Sequence, residues 1–144
     1  MATKFTITLE GEKQLSRRLG NLANNVKDFR PELVKSTSFL KNFFSGEVFA
    51  TRGGAIGEPW AKRQIEHPWP ILERTGKMRR SFMTKAEKLK GEVWNAVRYF
   101  KYHQSRGTRK TKLPRRVMMK LTDQLKNEII QIFHKGLWER VNKK

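Results

Sequence analysis

Cysteine is absent from the 144 residues, which excludes a disulfide framework and thiolate metal sites and fits a protein made in a reducing cytoplasm. Long apolar runs are absent too. No segment approaches the ~20 apolar residues of a membrane-spanning helix, and the start Met1-Ala2-Thr3-Lys4-Phe5 leads into no signal-peptide hydrophobic region. The expectation is a soluble protein without a membrane partner. Histidine is scarce: His67, His103 and His134 lie far apart and in no metal-ligand spacing. No metal and no cofactor are expected. Hydrolase signatures such as Gly-x-Ser-x-Gly are missing. Gly53-Gly54 and Gly57 are followed by no Gly-Lys-Ser/Thr and preceded by no hydrophobic strand, so they read as a flexible loop rather than a phosphate cradle. Glu58, Glu66 and Glu73 lie near basic neighbours and look like charge-balancing surface groups. The chain is not expected to be an enzyme.

Acidic residues are the most consequential shortage. Against 32 Lys and Arg stand only 13 Asp and Glu, a formal net charge of +19, and so self-repelling a balance calls for an anionic partner. The excess is uneven: residues 98–144 carry 14 basic and 3 acidic side chains, net +11, whereas residues 1–57 and 58–97 carry +4 each. That asymmetry favours a directed surface over uniform solubility charge. Its sharpest part is a basic loop at about 106–116, where Arg106, Arg109, Lys110, Lys112, Arg115 and Arg116 are the candidate contacts to DNA phosphates or to a partner protein. With neither a compact helix-turn-helix nor a zinc module in view, the expected contact with nucleic acid is non-specific.

Apolar residues are present in ordinary amount. They make up 37% of the chain, with four Trp and nine Phe, enough for a packed core, and the length suits a single domain over 1–144. Phe5, Ile7 and Leu9 alternate with threonines before Gly11, predicting a short edge strand. Leu15, Leu19, Leu22, Val26 and Phe29 predict one helix; Pro31, Leu33, Leu40, Phe44 and Val48 predict a second, or a kinked continuation.

Three Gly and three Pro between Thr51 and Pro70 predict a long loop, with Trp60 and Trp69 as its anchors to the core. Thr75 is placed to cap a short helix bearing Met78 and Phe82. Residues 84–97 read as a hairpin turning near Lys90-Gly91, with Val93, Asn95 and Val97 on one face. Tyr99, Phe100, Tyr102 and His103 predict a short helix closed by Gly107. A final helix is expected over Thr122 to Val141, with Leu121, Leu125, Ile129, Ile132 and Phe133 as its apolar stripe. The expected fold is α+β: a small antiparallel sheet packed against an N-terminal helix, or kinked helix pair, and a long C-terminal helix.

Several of these stretches fall in a familiar order. Gly53-Gly54 leads to Pro59-Trp60, and Ile71-Leu72-Glu73-Arg74-Thr75-Gly76-Lys77-Met78-Arg79-Arg80-Ser81 follows. Then come Glu92-Val93-Trp94-Asn95, Tyr99-Phe100-Lys101-Tyr102-His103-Gln104-Ser105-Arg106-Gly107 and Leu113-Pro114-Arg115-Arg116. This succession, over about residues 12–141, resembles the virion morphogenesis or tail-completion family of Mu-like and related tailed phages. In that family an Ile-Leu-x-x-Thr-Gly-x-Leu-x-x-Ser motif precedes a strand hairpin, a Tyr-x-x-x-His-Gln-x-Gly segment and a Pro-x-Arg motif. Met78 stands where the family commonly has Leu.

The resemblance implies a structural subunit that closes into a ring of six copies where the tail tube meets the connector. Its location would be the virion tail or neck, after assembly in the host cytoplasm. Rings arise when a heterologous interface repeats through a rotation that closes. A DNA channel or acidic partner rings would account for the charge. From charge alone, the alternative is a non-specific nucleic-acid-binding protein associated with ribosome or nucleoid.

Overall fold

The computed structural model describes residues 4–11, 28–104 and 114–141. Strands β1 (Lys4–Thr8), β2 (Phe82–Ala86) and β3 (Lys90–Asn95) form an antiparallel sheet in the order β1-β3-β2. β3 is central, with Val93 opposite both Phe5 and Thr84. Along β3 the period-two pattern holds: Val93 and Asn95 are buried, and Val97 is buried just past the strand end.

The hairpin turn, however, lies at residues 87–89 and not at Lys90-Gly91. The Glu87 N–H donates to the Lys90 carbonyl at 2.7 Å. Gly91 sits inside β3, where a Cβ would meet Thr37 Cγ2 at 2.9 Å and Leu33 Cδ2 at 3.2 Å. This glycine lets a helix approach the sheet; it does not turn the chain.

That helix is α1 (Arg30–Ser45), continued after a bend at Gly46 by the single turn α2 (Glu47–Ala50). Pro31 lies in its first turn, where a missing N–H leaves no ladder bond unmade. Leu33, Leu40, Phe44 and Val48 are all buried, as their spacing requires. Each such side chain contributes at most roughly 1.5–3 kcal/mol of burial free energy. Phe44 also meets Phe82 with ring centroids 6.4 Å apart, joining helix to sheet. The helix expected from Leu15, Leu19, Leu22 and Val26 lies outside the described residues.

Gly76, at φ +70°, precedes the short helix α3 (Lys77–Arg80), and Thr75 Oγ1 accepts the Lys77 N–H at 3.3 Å. The helix is shorter than expected. It ends before Phe82, which opens β2 and is buried in the core. Beyond the hairpin come α4 (Phe100–Gln104) and, after residues 114–122, which form no regular element, α5 (Asp123–Val141). Gly107 lies outside the described residues. Thr122 Oγ1 caps α5 by accepting the Leu125 N–H at 3.2 Å. Leu125 and Ile129 are buried and Ile132 and Phe133 half-buried. Leu121, expected on the same stripe, precedes the helix and is 37% exposed.

α1 packs against β2, β3 and α5. Its seam with α5 is polar at one point: Arg140 Nη2 donates to Glu32 Oε2 at 2.6 Å, and Nη1 donates to the Asp28 carbonyl. Gly136 makes room for that carboxylate, since a Cβ there would come within 2.5 Å of Glu32 Oε1.

Candidate functional site

The loop after α2 is shaped by backbone that most residues avoid. Arg52, Gly53 and Gly57 have φ of 50°, 83° and 70°, flanking one 3₁₀ turn at Gly54–Ile56. At Gly53 a Cβ would lie 2.1 Å from the Glu58 carbonyl and 2.6 Å from Trp60 Cδ1, so only glycine fits. The reversal drives Trp60 inward. Its ring is 8% exposed, sits edge-on to Phe49 with centroids 5.3 Å apart, and donates from Nε1 to the Val117 carbonyl at 2.7 Å. Trp69 behaves differently. It is half-buried, stacks on His67 at 4.5 Å, carries the Arg74 guanidinium 5.3 Å from its ring centroid, and its carbonyl accepts from Arg63 at 2.6 Å. Trp60 therefore joins the loop to the core, while Trp69 joins it to its own neighbours.

The Val117 carbonyl belongs to the segment 114–122 that leads into α5, and this segment is gripped a second time by Gln104. That side chain is buried at the end of α4. Its Nε2 donates to the Met119 carbonyl at 2.5 Å, while its Oε1 accepts the N–H groups of Met118 at 2.8 Å and Met119 at 3.1 Å. Main chain adds to the grip, with the Arg116 N–H donating to the His103 carbonyl at 2.8 Å. An amide is suited to this place because it donates and accepts at once, matching backbone groups that would otherwise be buried unpaired.

Of the six candidate basic residues, Arg106, Arg109, Lys110 and Lys112 lie outside the described residues. Arg115 is half-buried and donates from Nε to the Gln104 carbonyl at 3.3 Å. Arg116 is 7% exposed and turned inward, donating from Nε and Nη2 to the Ala61 carbonyl at 3.1 and 2.9 Å. Burial, and then the charge of Arg63, lower its pKa. It braces the 51–70 loop against the returning segment, which removes it from the side chains a single copy offers to phosphate. The feet of the basic stretch, His103-Gln104 and Arg115-Arg116, are thus fastened to each other.

The buried amides are what inspection of charge runs passes over. Asn95 is the second: its Nδ2 donates to the Met78 carbonyl at 2.7 Å and its Oδ1 accepts the Val97 N–H at 3.0 Å, locking α3 to the end of β3. Its signal in the sequence is a lone amide between Val93 and Val97.

Among the described residues no group of three His, Cys, Asp or Glu is placed to hold a metal ion, and no helix is long and apolar enough to cross a membrane. Compared with known proteins, the chain matches no family model, no curated protein and no solved structure.

Proposed function

We propose that the chain is a non-catalytic structural subunit of a tailed-phage virion, acting in tail completion or head–tail joining as a ring at the tail–connector junction. One observation carries this reading. The stretches that resemble the tail-completion pattern interlock around residues 116–119. Trp60 arrives from the Gly-rich loop, Gln104 from the Tyr-x-x-x-His-Gln segment and Arg116 from the Pro-x-Arg motif. Each of the three is engaged with backbone, which is the work of a scaffold.

In this reading Arg106, Arg109, Lys110 and Lys112 are the contacts to DNA in a channel or to an acidic surface of the tail tube or connector. A copy at +19 packs into a ring when such faces meet negative charge.

The test is solution mass by light scattering at moderate salt, alone and with tail or connector components. A discrete ring, or a monomer converted to one by those components, supports the proposal. A monomer that ignores them and binds duplex DNA with a steep salt dependence replaces it with the nucleic-acid-binding alternative. Combined charge reversal, R106E, R109E, K110E and K112E, is expected to abolish virion assembly or DNA retention. Normal virions from that variant would withdraw the role given to the basic stretch.

A further inference from the structure

Away from the clamp, Tyr99 stands between two surface cavities. One, of about 230 Å³, is lined by Trp69, Arg74, Met78, Tyr99 and His103 among others. The other, of about 610 Å³, is lined by the chain from Asn95 to Tyr102, including Arg98 and Lys101. No carboxylate lines either. Among the described residues, Arg74, Arg98 and Lys101 enter no ion pair; the acids nearest them in sequence, Glu73 and Glu92, are bound to Arg79 and to Lys4 and Lys90. Aromatic rings accompany these charges at the surface: Tyr99 is 42% and Tyr102 47% exposed, with Lys101 5.2 Å from the Tyr102 centroid.

We propose that this face binds single-stranded nucleic acid, seating an unpaired base against Tyr99 and the Arg74 guanidinium, with flanking phosphates at Arg98 and Lys101. The chemistry selects that partner. Uncompensated cations attract any polyanion, but tyrosine rings and a guanidinium plane held over Trp69 are stacking surfaces for a flat base. A duplex keeps its bases stacked on one another and offers only phosphate. An acidic polypeptide neutralises the cations and leaves the rings unused. The smaller cavity lies below the about 300–1,000 Å³ of drug-sized sites, which suits one planar ring. This face is separate from the basic stretch of residues 106–112 and does not depend on the virion reading.

Anisotropy titration of the full chain at about 200 mM salt, against labelled oligothymidylate, its equal-length duplex and polyglutamate, tests it. The single strand is expected to bind at least about tenfold more tightly than the duplex, with polyglutamate a poor competitor. Tyr99→Ala and Arg74→Ala should each weaken the single strand about tenfold, in line with one lost base stack; Tyr99→Ala, which removes no charge, should leave duplex affinity unchanged. Tyr99→Phe should keep wild-type binding. Both positions are exposed, and circular dichroism checks that the variants fold. Equal or tighter duplex binding, effective competition by polyglutamate, or indifference to both alanine substitutions overturns the proposal.

Discussion

The body of the molecule and the stretch from Val93 to Thr122 differ in how they treat charge. In the body, carboxylates meet cations: Glu32 with Arg140, Glu73 with Arg79, and Glu92 between Lys4 and Lys90. Val93 to Thr122 holds nine Lys and Arg and no Asp or Glu; of its described cations Lys120 meets a carboxylate, Glu58, at 3.0 Å, and the described part is otherwise held by bonds to backbone from the Gln104 amide, the Trp60 indole and the Arg116 guanidinium. A glutamate in place of Gln104 would accept from Met118 and Met119 but give nothing to the Met119 carbonyl, and it would cancel one unit of positive charge. Fastening by Gln104 holds the described segment without cancelling any of its positive charge.

Arg140→Ala tests the body most severely. It leaves the Glu32 carboxylate, 4% exposed, without its guanidinium, and the expected loss is about 3–5 kcal/mol in urea unfolding. Adding Glu32→Gln to that variant should recover part of it. Gln104→Ala tests the clamp: buried groups of Met118 and Met119 lose their partner, for an expected loss of about 2–3 kcal/mol. Because no charge is involved, that loss should be the same at low and high salt; a salt-dependent loss would break the distinction. Trp60→Phe removes the bond to Val117 and keeps most of the ring, with about 1 kcal/mol expected.

Acid sharpens the same contrast. Hydrogen bonds from Lys90 and then Lys4 hold the Glu92 carboxyl below its ordinary pKa, and Lys85 does the same for Glu87. With the folded values depressed, this stabilisation is complete above the ordinary carboxylate value and is lost as pH falls through the folded one. Glu92→Gln should therefore flatten the acid limb of a stability–pH profile. At neutral pH it should change the midpoint least of these variants, since ion pairs at exposed cations are weak.

Much of the architecture was legible in the spacing of apolar residues. The α1 stripe, the buried face of β3 and the α5 helix follow from periodicity because the core demands it. Three placements did not follow. Gly91 resembles a turn residue in sequence, but the pressure on it comes from Thr37 and Leu33, more than fifty residues away in the chain. Phe82 fits a helical spacing after Met78, yet pairing opposite Asn95 claims it for the sheet. Arg116 looks like one more surface cation until the Ala61 carbonyl, fifty-five positions earlier, draws it in. In each case the deciding partner is non-local, beyond the reach of any short window.

Fastening the feet of the basic stretch also frees its length. Because the Arg116 N–H is bonded to the His103 carbonyl and Gln104 grips the segment beyond, residues added between those positions need not disturb the body. Changes of sequence there are the ones that this fastening shields the core from.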